Sequence, residues 1–280
     1  MTDPLVTADW LGRRIGRSDV SVVDASLRMV GEPTTGRQDY DAGHIPGAVF
    51  FDIEALSDHA SPLPHMLPAP ETFAEAAGAL GLRREATIVV YDSQGMFSAP
   101  RIWWTLRIMG FPSVFVLDGG LIAWRAQGGP VERTPATHPS TLLESVFDPD
   151  LVRDLDAVRD LLERREAQLV DARSRPRFRG EAPEPRAGLR PGHMPGACNL
   201  PWQDLVRPDA TMKSAAELKA VFEAAGVDLA APIVTTCGSG VTAAILALAL
   251  ARLGRLNVPV YDGSWTEWGG RADTAVATGA

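Results

Sequence analysis

The sequence predicts an α/β protein made of two tandem copies of one domain, each read as a parallel sheet flanked by helices. Two observations carry that expectation. The first is repetition at a near-constant offset of 144 to 149 residues. VVDAS at 22–26 returns as LVDAR at 169–173, and GHIPGAVFFD at 43–52 returns as GHMPGACNLPW at 192–202. TIVVYDSQG at 87–95 returns as PIVTTCGSG at 232–240, and VLDGGLIAW at 116–124 as VYDGSWTEW at 260–268. Landmarks that recur in one order at one spacing mark a duplicated unit. The second observation is alternation: short β-branched runs alternate with helical stretches at 71–80, 99–109, 214–225 and 241–253, the pattern of a parallel sheet covered on both faces.

Between the copies lies GGPVERTPATHPST at 128–141, rich in Pro and Thr and without apolar periodicity, the composition of an extended connection. The boundary is placed near residue 140, so the expected domains are 1–140 and 141–280. A length of 280 residues, 45% hydrophobic and 22% charged, suits two globular domains with their own cores.

A net charge of −8 argues against nucleic acid as a partner, because that affinity rests on clustered Lys and Arg. The N-terminal MTDPLVTADW lacks a basic stretch followed by an apolar one. The longest apolar run, 241–250, is too short to span a bilayer, so neither a leader nor a membrane partner is expected. Two cysteines, Cys198 and Cys237, make no disulfide framework and no four-thiolate metal site, and the expected setting is the reducing cytoplasm.

Cys237 stands at the end of the run Ile233, Val234, Thr235, Thr236, directly before a long apolar stretch. In parallel sheets chemistry gathers where strand passes into helix. Gly238 and Gly240 let the backbone turn so that several N–H groups converge, and the following helix adds its positive end. Such a loop favours the thiolate, the reactive form of cysteine, and the reading requires that thiol to be reachable from solvent. The corresponding residue of the first copy is Asp92 in YDSQGMFSAP, so the first domain is expected to be non-catalytic. Cys198 aligns with Val49, an apolar strand position, and is expected to be structural. His44 and His193, present in both copies, and Asp24 and Asp171 at strand ends are expected to serve the fold.

The CGSGVTA loop, the GHIPGA and GHMPGA segments, the VLDGG and VYDGS turns and the stretch RFRGEAPEPR together resemble the two-domain rhodanese superfamily, over about residues 5 to 270. The resemblance implies sulfur transfer through a persulfide on Cys237. Thiosulfate-using members carry basic residues after the cysteine, as in CRKGVT, whereas Gly238 and Ser239 stand here, so 3-mercaptopyruvate is the expected donor. Phosphatase relatives need an arginine six residues after the cysteine, where this chain has Ala243.

By the same resemblance Arg177 and Arg186 hold the carboxylate of the donor, a task suited to the planar fork of arginine. The plain alternative pairs these arginines with Glu181 and Glu184, and Arg179 reads as structural. A Ser, His and acid set is implied as well, mapping onto Ser239, His65 and Glu54, although members usually have Asp where Glu54 stands. Amides from Gly238 through Ala243, with Gly240, Val241 and Thr242 among them, are expected to receive the persulfide anion. No metal and no organic cofactor is expected. Expected acceptors are a small thiol, thioredoxin or cyanide. Two other readings stay open: a thiosulfate sulfurtransferase, and a non-catalytic sulfur-relay or thiol-sensing module loaded by a protein partner.

Overall fold

The computed structural model describes residues 3–29 and 31–279. They gather into two units, each with its own sheet. The first holds residues up to Asp58, Leu67–Asp148 and Val206–Met212, and the second holds His59–Met66, Pro149–Leu205 and Lys213 onward. Each unit thus includes a short segment drawn from the other copy's stretch of chain.

In the first unit the order is β1 (Leu5–Val6), α1 (Ala8–Gly12), β2 (Val20–Asp24), α2 (Gly36–Ala42), β3 (Val49–Phe50), α3 (Pro70–Ala79), β4 (Thr87–Tyr91), α4 (Ala99–Ile108), β5 (Val114–Leu117) and α5 (Gly120–Ala126). The second follows with β6 (Val152–Arg153), α6 (Leu155–Arg164), β7 (Gln168–Asp171), α7 (Arg175–Arg179), β8 (Cys198–Asn199), α8 (Ala215–Ala224), β9 (Ile233–Thr236), α9 (Ala243–Arg252), β10 (Val260–Tyr261) and α10 (Ser264–Gly270). Both sheets are parallel, ordered β1-β5-β4-β2-β3 and β6-β10-β9-β7-β8, so the duplication extends to strand order. Even the register repeats: Val23 opposes Val49, and Val170 opposes Cys198.

Sequence explains these elements locally. Strands β4 and β9 lie mid-sheet, and their runs are buried on both faces, as continuous apolar or β-branched sequence requires. In α6, Leu155, Val158 and Leu161 recur at helical spacing and pack on Leu169 and Val234. The Asp154 side chain caps this helix through the Ala157 N–H at 2.8 Å, and α8 opens with a Ser214–Glu217 capping box.

The copies differ in where one helix sits along the chain. His44 stacks on Tyr40 of α2 at 3.8 Å and bonds its carbonyl through Nδ1 at 2.8 Å. His193 stacks on Phe178 of α7 at 3.8 Å and bonds that carbonyl through Nδ1 at 2.8 Å. The sequence separation is 4 residues in the first pair and 15 in the second. The second copy therefore carries a loop after its helix, and that loop contains Glu184 and Arg186.

Asp24 and Asp171 each turn a carboxylate oxygen back onto the amide two residues on, Ser26 and Arg173, at 2.9 Å. Asp171 also has the Arg173 guanidinium, whereas the buried Oδ2 atom of Asp24 has no hydrogen-bond partner among the described residues. Burial pushes the Asp24 carboxyl up to about 6, with neighbouring Asp92 adding to the rise. An acid raised in the folded state holds its proton there after the unfolded chain has lost it, so the stability it contributes falls as pH rises between the two values. Asp24→Asn, which cannot ionise, should therefore gain on the parent by roughly 2–3 kcal/mol between about pH 4 and pH 7. Urea unfolding of both across that range tests this, and a difference independent of pH would refute it.

Candidate active site

Cys237 follows β9 at the carboxyl end of the second sheet, and Gly238 to Thr242 bridge to α9. The loop is held from outside through its carbonyls. The Trp265 N–H of α10 bonds the Cys237 carbonyl at 3.0 Å, and the Thr266 N–H bonds the Gly238 carbonyl at 2.9 Å, joined by the Thr266 hydroxyl at 2.5 Å. In a trans peptide the N–H points opposite to the carbonyl it is fused to. With their carbonyls turned to α10, the Gly238 and Ser239 N–H groups face the other way. The amides of Gly238, Ser239, Val241 and Thr242 make no hydrogen bond to any described residue, and no side chain caps α9.

The first unit shows what such a loop collects. Its Asp92 carbonyl receives the Leu121 N–H at 3.0 Å, matching Cys237 and Trp265. The Asp92 carboxylate then takes four loop amides: Gln94 at 2.9 Å on Oδ1, and Phe97 at 2.9, Ser98 at 2.9 and Ala99 at 2.8 Å on Oδ2. Their counterparts in the second unit are Ser239, Thr242, Ala243 and Ala244. Burial raises the Asp92 carboxyl while these amides pull it back. The loop of this fold is an anion receiver, and in the first unit its own side chain supplies the anion.

Ser264 is a further part of the loop's support that sequence reading missed. It adopts a left-handed φ of 51°, where the first unit has Gly120 at 52°. Its buried hydroxyl accepts the N–H groups of Cys237 at 3.3 Å and Gly240 at 3.1 Å and donates to the Tyr261 carbonyl at 2.7 Å. A side chain in that conformation is disfavoured, and this one satisfies two buried donors. The only signal was Ser in VYDGS against Gly in VLDGG.

Cys237 itself is 2% exposed, against the sequence expectation of a reachable thiol. Ser239, Gly240 and Val241 are buried with it, because the loop wraps the sulfur on its way into α9. Gly238 and Thr242 are half-buried. Cys198 lies half-buried in β8, where burial pushes its thiol up and keeps it protonated.

Of the other candidates, Ser239 and His65 are brought together: Ser239 Oγ lies 3.0 Å from His65 Nδ1. His65 reaches this position with a left-handed φ of 61°, on the His59–Met66 segment that counts with the second unit. Glu54 is exposed, in a turn of the first unit. Arg177 lies on α7, and its Nη2 would sit 3.1 Å from a Cβ placed on Gly238, so the guanidinium rests against the loop. It is also paired with Glu184, with Nη2 to Oε2 at 2.5 Å, so the plain pairing holds for this arginine without removing it from the loop. Arg186 is half-buried in the loop after α7. Arg179 closes α7, whose C-cap is Gly180. Among the described residues no group of three or more His, Cys, Asp or Glu could hold a metal ion, and no helix is long and apolar enough to cross a membrane.

A family profile, the rhodanese-like domain, matches residues 7–127 and again 154–271. The chain belongs to the rhodanese family. It is 48% identical over 272 residues to the 3-mercaptopyruvate sulfurtransferase of Escherichia coli K12, covering 97% of this chain and 96% of that one. It is 40% identical over 275 residues to bovine thiosulfate sulfurtransferase, covering 96% and 92%. The crystal structure of SseA, a 3-mercaptopyruvate sulfotransferase from Escherichia coli, superposes with a TM-score of 0.87 at 45% identity, covering 94% of this chain and 99% of that one. The two rhodanese domains are the two sheets described above.

Ser264→Gly keeps the left-handed backbone and removes the hydroxyl. Removing the acceptor of the buried Cys237 amide should cost the variant about 1–3 kcal/mol of stability, although the backbone strain at this position is relieved. Urea unfolding of parent and variant checks this, and a variant as stable as the parent would show that the hydroxyl does not brace the loop.

Proposed function

We propose that this rhodanese is a sulfurtransferase that takes sulfur from 3-mercaptopyruvate onto Cys237, releases pyruvate and passes the sulfur to a thiophilic acceptor. The observation that carries the reading is the loop itself. Where one copy fills its amides with the Asp92 carboxylate, the other presents a sulfur that becomes anionic in use. The relatives' names agree with that chemistry.

Arg177 and Arg186 bind the donor's carboxylate through the arginine fork. The Cys237 thiolate attacks the donor's sulfur, and the C–S bond breaks with its electron pair going to carbon, giving the pyruvate enolate and a protonated persulfide. The persulfide proton then passes to the enolate carbon through Ser239 and His65, which lie 3.0 Å apart. Pyruvate leaves, and the persulfide anion stays on the loop amides of Gly238 through Ala243. An acceptor thiol attacks the outer sulfur, carries it off as its own persulfide and returns the Cys237 thiolate, a ping-pong course. The acceptor is a small thiol, reduced thioredoxin or cyanide, in a reducing cytoplasm. The first copy, with a carboxylate at position 92, supplies no nucleophile. Because Cys237 is buried, the donor must reach the sulfur through the loop's open side, and the persulfide places the transferred atom about 2 Å further out.

One rival reading has an observation in its favour: the bovine relative is named for thiosulfate. Against it, Gly238 and Ser239 bring no positive charge to the loop for a dianion.

Intact mass after incubation with 3-mercaptopyruvate should show one added sulfur on the parent and none on Cys237→Ser, with pyruvate released only by the parent. A sulfur gained by both, or greater efficiency with thiosulfate, would overturn the reading. Arg177→Ala should raise KM for 3-mercaptopyruvate at least about tenfold with a smaller effect on kcat. Unchanged steady-state kinetics would take this arginine out of the site.

A further inference from the structure

A ladder of alternating charges runs through the second unit toward the nucleophile loop. It starts at Asp171, whose carboxylate takes the Nε of Arg173 at 2.9 Å and its Nη2 at 2.7 Å. Arg173 Nη1 continues to Glu184 Oε1 at 2.8 Å, and Nη2 also donates to the Gly192 carbonyl at 2.9 Å. Glu184 in turn takes the Nε of Arg177 at 3.3 Å and its Nη2 at 2.5 Å. The side chains of Asp171, Arg173 and Glu184 are 1%, 0% and 2% exposed, while that of Arg177 is 22% exposed.

We infer that Glu184, clamped by Arg173, is a positioning residue that fixes which edge of Arg177 faces the sulfur donor. The inference rests on the assignment of Arg177 to the donor's carboxylate. An arginine offers two forks, a side one made by Nε with one terminal nitrogen and an end one made by both terminal nitrogens. Glu184 occupies the side fork. The end fork is left over: Nη1 makes no hydrogen bond to a described residue, and Nη2 rests against Gly238. A free arginine would sample many rotamers and present either fork, and a carboxylate bound to the wrong one would stand away from the sulfur. Glu184 removes that choice because it is itself immobile, buried and held by a guanidinium that has no freedom either. Arg173 also stacks on the Trp265 ring at 4.3 Å, and the Trp265 N–H holds the Cys237 carbonyl. One buried guanidinium thus braces both the loop that carries the sulfur and the arginine beside it.

Glu184→Gln keeps the side chain's shape and weakens the hold on Arg177, and Glu184→Asp keeps the charge at shorter reach. The glutamine variant should raise KM for 3-mercaptopyruvate about tenfold with kcat within about twofold, and aspartate should recover part of the loss. The Arg177 Nε–H, assigned by its disappearance in Arg177→Lys, should exchange slowly with solvent in the parent and rapidly in Glu184→Gln. A glutamine variant with parental KM and parental Nε–H protection would overturn the inference, as would a fall in kcat alone. No pyruvate from the parent would overturn the donor assignment instead. The exchange measurement needs no turnover and would still judge whether Glu184 holds Arg177.

Discussion

Two carbonyl groups facing α10 are the constraint on which the site depends. A strand that runs directly into a helix ordinarily has its last amides and carbonyls absorbed by one element or the other. Here the Cys237 and Gly238 carbonyls are taken by the first amides of α10, a helix further along the chain, and peptide planarity then turns the next two N–H groups away from it. The Ser264 hydroxyl accepts the buried amides of Cys237 and Gly240. What remains uncommitted is a small set of loop amides beside one sulfur. The arrangement adds backbone dipoles to the one guanidinium, that of Arg177, that rests against the loop.

The same economy governs the charged side chains. Asp171, Arg173, Glu184 and Arg177 sum to zero, and the three innermost are removed from water. Buried ion pairs are weak contributors to net stability, since desolvation offsets much of the attraction, yet removing one partner leaves a charge with nothing to offset it. Such a ladder is better at fixing geometry than at holding a fold together. Its place between the end of β7 and the nucleophile loop agrees with that distinction. In the first copy the equivalent of Arg173 is Ser26, burial raises the Asp24 carboxyl, and the charged cluster near the loop is Arg28 with Glu32 and Asp39, the last accepting the Ser93 hydroxyl at 2.6 Å.

Much of this was legible in the sequence because a duplication lets one half be read against the other. The parallel sheets flanked by helices, the junction at Cys237 and the carboxylate at Asp92 follow from alignment of the copies and from alternation of apolar runs. Helices at 99–109 and 241–253 were expected and appear as Ala99–Ile108 and Ala243–Arg252. The missed features are those that sequence spacing does not encode. Ser264 differs from Gly120 by a hydroxymethyl group, and its importance lies in a φ that no residue type announces. Arg173 looks like any strand-end arginine until Glu184, eleven residues on, folds back over it through a loop that the first copy carries elsewhere. The burial of Cys237 was missed for a related reason: glycines signal that a loop can turn sharply, and they do not say how closely it wraps the atom inside.

The pair of loops also shows what it takes to keep an anion receiver in working order. Convergent amides repel one another and invite any anion, so a loop of this kind is stable only when filled or externally braced. The first unit fills it with Asp92, and Gly120 can stand so close that an added Cβ would lie 2.5 Å from the Asp92 carbonyl oxygen. The second cannot be filled permanently if the sulfur is to come and go. It substitutes bracing for filling: a strained serine beneath, two helix amides on the carbonyls, and a buried arginine stacked on the tryptophan that supplies one of those amides. Strain at Ser264 and buried charge at Arg173 are both unfavourable in isolation, and both stand beside the loop that must remain open. The first copy has Gly120 and Ser26 at those two places.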